Sequence, residues 1–117
     1  VTASSTYHLM DDDGPILARE DDVNDFIAVA WEKGAAWLVV PRERLSPDFF
    51  YLPTGLLGTV AQKFQQYNIG LAILGDVEKE KTQSNALRDF VRETNQRRAL
   101  WFVADENAFQ EKLNAKN

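Results

Sequence analysis

Thr54 stands where an aromatic run breaks at Pro53 and an amphipathic helix begins, within the stretch DFFYLPTGLLGTVAQKFQQY at residues 48–67. A threonine at a helix start has two uses. Its hydroxyl can cap the helix by accepting from an orphan N–H, worth about 1 kcal/mol. The free N–H groups and the positive end of the helix dipole can instead receive an anion, whether phosphate placed on Thr54 itself or an anionic group arriving on a ligand. Local chemistry leaves both open. Just upstream, Asp48 offers a carboxylate, and Phe49, Phe50 and Tyr51 offer aromatic surface. Exposed aromatics anchor partners, while buried ones would close a core beneath a long loop.

Gly55 and Gly58 flank Leu56 and Leu57. The spacing lacks the Gly-Lys-Ser/Thr ending of a phosphate loop, and an RNA-clamping loop does not suit two leucines in an acidic chain. Close packing of the helix accounts for these glycines better. Leu56, Leu57, Val60, Ala61, Phe64 and Tyr67 share one helical face, and Thr59, Gln62, Lys63 and Gln66 share the other. That second face is mostly uncharged, which suits a contact surface.

Asp48 and Asp76 could meet at a sheet rim, where paired carboxylates can do acid–base work; at strand ends they can equally cap turns. Counting the run at residues 11–14 as a calcium loop puts Leu9 at the first ligand position, so a solvated turn is expected and no metal. His8, the only histidine, has no nucleophile motif around it and reads as a strand surface residue. Arg88, Arg92, Arg97 and Arg98, interspersed with Asp89 and Glu93, read as a solvated face. No cofactor is implied.

The elements that must position these groups come from the pattern of the chain. Its 117 residues, 44% hydrophobic and 26% charged, suit one domain with one packed core. Thirteen basic residues against eighteen acidic give a net charge of −5, with no basic run, so nucleic acid is not expected as a partner. There is no cysteine, which removes disulfides and thiolate chemistry. No apolar run approaches the roughly 20 residues that span a bilayer, and no basic-then-apolar leader is present, so a soluble cytoplasmic protein is expected.

Residues 1–5 read as a flexible end, and 6–117 as a single domain. Tyr7 and Leu9, a turn at 12–14 and the apolar run at 15–18 predict a β-hairpin. Asp21 or Asp22 caps a helix whose stripe is Val23, Phe26, Ile27, Ala30 and Trp31, stopped by Gly34. Residues 35–40 form a buried strand, and 42–53 a long connection of the kind that carries function. After the helix from Thr54, residues 71–74 form a second buried strand. Ser84 caps a helix carrying Leu87, Phe90, Val91 and Thr94; residues 99–103 form a third buried strand, and Asp105 caps a last helix with Ala108, Phe109 and Leu113. The order β-β-α-β-α-β-α-β-α implies a mixed, mainly parallel five-stranded sheet with four helices. Ligands favour the rim at the C-terminal ends of the strands, here residues 42–54, 75–84 and 104–105.

From Leu45 almost to the end the chain resembles an uncharacterised bacterial family, domain of unknown function 4180. Leu45-Ser46, Asp48-Phe49-Phe50, Thr54-Gly55 with Gly58, Gln62-Lys63-Phe64, Tyr67, Leu71-Ala72-Ile73 with Gly75-Asp76, Asp89-Phe90, Glu93 with Asn95, and Phe102-Val103 carry the resemblance. The family commonly has an acid after the second glycine, where this chain has Thr59. More distantly, the element order and Thr54-Gly55-Leu56 resemble the STAS domains of anti-sigma factor antagonists, although Leu52-Pro53 replaces the Asp-Ser of their motif. That likeness implies a STAS-like α/β fold, a non-enzymatic regulatory role, and Thr54 as a phosphorylation position. The expected contact set is Asp48, Phe49, Phe50, Tyr51, Thr54, Gly55, Thr59, Gln62, Lys63, Gln66 and Asp76, meeting a protein partner, with a homodimer as one form. A nucleotide or other anion at the same helix start is the alternative; a carboxylate-dependent enzyme is the third reading.

Overall fold

The structure, a computed structural model, describes residues 6–115. Strands β1 (Tyr7–Leu9), β2 (Trp37–Pro41), β3 (Gly70–Leu74) and β4 (Leu100–Val103) lie side by side in that order, every neighbouring pair parallel. Leu38 aligns with Leu71, and Leu71 with Leu100. Alternation then sorts the strand residues onto two faces. Leu38, Val40, Leu71, Ile73, Leu100 and Phe102 belong to the larger core, whereas Trp37, Val39, Ala72 and Trp101 belong to a smaller one.

Successive right-handed crossovers in a sheet of sequential order put their helices on one face. The larger core accordingly holds the buried faces of α1 (Asp22–Glu32), α2 (Leu56–Gln66) and α4 (Asn85–Thr94), through residues such as Phe26, Leu57, Phe64 and Leu87. The opposite face is closed by α5 (Glu106–Asn114), whose fully buried Phe109 packs against Trp37 at 5.6 Å and Trp101 at 5.8 Å, two rings that are themselves stacked at 4.1 Å. Gly70 lies directly against the Trp37 ring, leaving no room for a Cβ.

Several local expectations hold. Ser84 Oγ accepts from Leu87 N at 3.1 Å, and Asp105 Oδ1 from Ala108 N at 2.8 Å, capping α4 and α5. Gly34 ends α1 with a left-handed φ of 62°. The exposed edge of β4 is met by Asn95, whose amide accepts from Phe102 N at 2.8 Å and donates to Phe102 O at 3.2 Å. One side chain thus stands in for a further strand, which protects an edge from pairing with another chain.

Other expectations are corrected. Among the described residues the sheet has four strands, all parallel, rather than five in a mixed sheet, and there are five α-helices rather than four, the added one being α3 (Glu78–Gln83) in the charged run. The hairpin does not form: β1 pairs in parallel with β2, and Leu17 makes a single parallel bridge to Leu45. Its turn is held another way. Arg44 sends Nε to Pro15 O at 2.8 Å and Nη1 to Asp11 O at 3.0 Å, so these carbonyls have a partner without a ladder. Of the two candidate caps of α1, Asp21 holds the N-cap position but makes no side-chain capping bond, and the Asp22 carboxylate accepts instead from Ala18 N and Arg19 N, each at 2.9 Å, bonds that hold its pKa below the usual value. Trp31 and Tyr67, assigned to buried stripes, are 60% and 44% exposed and pack edge to face at 5.2 Å. Each is the last aromatic of its stripe, beyond the edge of the core.

A candidate binding cleft at the strand rim

β2 runs out at Pro41, and the chain turns through three short 3-10 segments, Arg42–Arg44, Pro47–Phe50 and Leu52–Thr54. The long connection is therefore an ordered coil of turns. Proline near the start of the last two fixes φ where no N–H is needed. This coil forms one wall of a cleft of about 850 Å³; the other wall is α3 and the first turn of α4. Leu45, Pro47, Phe50, Leu52 and Pro53 make the coil side apolar, and Lys79, Glu80, Gln83 and Ser84 make the helix side polar. Tyr51 lies at the lip, 63% exposed.

Arg42 occupies the seam between the walls. Its guanidinium forks onto Glu80, Nη2 to Oε2 at 2.6 Å and Nη1 to Oε1 at 3.2 Å, and Nη1 also donates to the Asp76 carbonyl. The guanidinium carbon sits 4.8 Å from the Phe50 ring centroid, within cation–π range. Gly75 leaves room for the Arg42 stem, since a Cβ there would fall 2.6 Å from Arg42 Cγ, and its φ of 136° disfavours any other residue. The hydrogen bond from Arg42 holds the Glu80 carboxyl below the usual glutamate range, and the same bond raises the Arg42 pKa.

The helix carrying Glu80 is weakly anchored. α3 buries none of its own side chains; Val77, just before it, is buried, and Asp76 Oδ1 caps it by accepting from Glu78 N at 2.8 Å. Arg42 is the side chain that ties its middle to the end of β2. Lys79, on the cleft wall, has no carboxylate at ion-pair distance among the described residues.

The residues expected to act together fall into separate places. Phe50 and Tyr51 line the cleft. Phe49, read as a contact anchor, is fully buried and is instead a core residue, its ring edge-on to Phe50 at 5.2 Å. Asp48, Thr54, Gly55 and Thr59 line a smaller depression of about 200 Å³ with Ala18 and Arg19. Thr54 does not occupy the N-cap position; Gly55 does, with φ 79°. The Thr54 hydroxyl lies 2.9 Å from both Asp48 O and Tyr51 O, sharing its proton between them, and accepts from Leu56 N at 3.2 Å. It therefore pins the coil to the helix that follows. Gln62 and Gln66 are exposed further along α2 and Lys63 is half-exposed there, none of them on the cleft. Asp76 serves as a cap, so the carboxylate in the cleft is Glu80 rather than an Asp48 and Asp76 pair.

Arg42, Lys79 and Glu80 were not singled out from the sequence, although all three lie within the rim segments 42–54 and 75–84. The legible signal was a cation directly after a buried strand and a glycine directly after the next one, since both positions fall on the same rim.

Among the described residues no group of three or more His, Cys, Asp or Glu could hold a metal ion, and no helix is long and apolar enough to cross a membrane. A family model described as "Domain of unknown function (DUF4180)" matches residues 2–113. No curated protein and no solved structure matches the chain.

Proposed function

Since the chain belongs to the DUF4180 family, whose description carries no activity, we propose from its geometry that it is a non-enzymatic binding module that receives an apolar segment of a partner protein in the rim cleft. One observation carries this reading: a cleft of about 850 Å³ at the C-terminal ends of parallel strands, with an apolar wall on one side and exposed Tyr51 at its lip. Such rims are where open parallel sheets bind ligands, and aromatics at a contact carry a large share of its energy. The likeness of Thr54-Gly55-Leu56 to the regulatory motif of anti-sigma factor antagonists supports the same rim as a contact region. Thr54 is the control point of this proposal. Phosphate on its oxygen removes the proton shared by Asp48 O and Tyr51 O and loosens the coil that forms the apolar wall.

An anion at the start of α2 gains less support. Leu56 N is already bonded to Thr54 Oγ1, so one of the N–H groups such a site needs is taken.

Selection from a displayed random peptide library, with binders mapped by amide chemical shifts, tests the proposal. Binders should perturb residues 47–54 and 79–86, and Tyr51→Ser should weaken them about tenfold. A library that yields no binder, or binders that leave those amides unmoved, would overturn it.

A further inference from the structure

Resting on that reading of the cleft, we infer that its occupant carries a carboxylate, which takes the place of Glu80 on Arg42 and releases α3. Three observations converge on Arg42. It is held from three directions, by the space above Gly75, by the Phe50 ring and by the Asp76 carbonyl, so its guanidinium stays in place whichever carboxylate it meets. It opens on the cleft, with its side chain 29% exposed. Its present carboxylate comes from a helix that buries no side chain of its own.

A guanidinium fork reads a planar carboxylate through two parallel bonds, and that geometry does not depend on the chain supplying the carboxylate. Glu80 thus occupies the position that an acidic group on the occupant would take. Charge favours the exchange. The chain carries a net −5, yet the charged groups lining the cleft are Arg42, Lys79 and Glu80, two cations against one anion. Once a second carboxylate has replaced Glu80 on Arg42, Lys79, the residue before Glu80 on the same turn of α3, has no ion-pair partner among the described residues. The apolar coil opposite receives the remainder of the occupant. An acidic, apolar segment of a partner protein meets both walls; an apolar segment without an acid meets one.

The exchange is reversible and forms no covalent bond. Glu80 goes from a bidentate partner to water, and α3 loses the tie that holds its middle to the end of β2. Filling the cleft and loosening α3 are therefore one event, with Glu80 as a built-in competitor.

The probes are 4-phenylbutyrate and 4-phenylbutyramide, which share an apolar body and differ in the carboxylate; their binding is followed by amide shifts of the full chain. The acid should bind about tenfold tighter than the amide, the difference that a charge-assisted bidentate contact makes. Glu80→Gln should tighten the acid several-fold by removing the competitor, whereas Arg42→Gln should bring acid and amide together. The two variants remove the same ion pair, so a merely structural role would move both in one direction. Equal binding of the two probes, or weaker acid binding in Glu80→Gln, would overturn the inference. If selected peptides still map to the cleft in that case, the binding module stands without its acidic specificity; if they do not, both readings fall.

Discussion

Arg42 and Arg44 leave the same 3-10 turn and do opposite things. Arg44 is 6% exposed and bonds backbone carbonyls of Asp11 and Pro15, with Phe26 beneath its guanidinium at 5.4 Å. Arg42 is partly exposed and bonds a titratable carboxylate on a thinly anchored helix. Each depends on a positive-φ glycine that clears space for it, Gly14 for Arg44 and Gly75 for Arg42. A buried cation satisfied by fixed carbonyls has one arrangement. A cation at a cleft, satisfied by a side chain on a thinly anchored helix, is open to a second, and the proposed exchange needs that kind.

The comparison can be broken most forcefully at Arg44. Arg44→Met keeps the bulk but removes the donor to three carbonyls, those of Asp11, Asp13 and Pro15, and should cost about 3 kcal/mol in denaturant unfolding. Arg42→Met should cost clearly less, and equal losses would mean that the two cations are not different in kind. Gly14→Ala and Gly75→Ala come next, at about 2 kcal/mol each, because both put a Cβ against an arginine at an unfavourable φ. Gly75→Ala should also weaken acid binding in the cleft, and Gly14→Ala should not. Thr54→Ala, which removes the hydroxyl bonds pinning the coil to α2, should cost about 1 kcal/mol and raise amide exchange at residues 48–54.

The smallest effect is in pH. Because the Glu80 carboxyl is held below its ordinary value by Arg42, its contribution is present above the unfolded-state pKa of about 4.3 and disappears as pH falls through the lower folded value. The contribution is below about 1 kcal/mol for a partly exposed pair. Urea midpoints of wild type and Glu80→Gln should therefore converge in acid. The Arg44 bonds end on neutral carbonyls, so the loss in Arg44→Met should persist there.

The elements legible in the sequence were those set by periodicity and caps. Leu38 and Leu71 lie in continuous apolar strands, Ser84 and Asp105 announce helices, and the stripe from Leu56 to Phe64 fixes α2. The hairpin was misread because a turn such as Asp12-Asp13-Gly14 looks the same whether a facing strand or a distant arginine satisfies its carbonyls. Arg44 lies far along the chain from that turn, and no local pattern links them. The candidate site was legible as a rim and not as a set of residues. Spacing brings residues 42–54 and 75–84 together, but which side chains point inward depends on 3-10 turns that have no apolar period. For that reason Phe49 and Phe50, adjacent aromatics of one type, are both buried in the core, and Phe50 alone of the two also reaches the cleft wall.

Hydrogen exchange of the wild-type chain with and without saturating 4-phenylbutyrate tests the central claim most directly. Carboxylate exchange on Arg42 predicts slower exchange at residues 47–54, where the apolar wall is covered, together with faster exchange at residues 78–83, where Glu80 has been displaced. Slower exchange in both segments, or no change in residues 78–83, would contradict it.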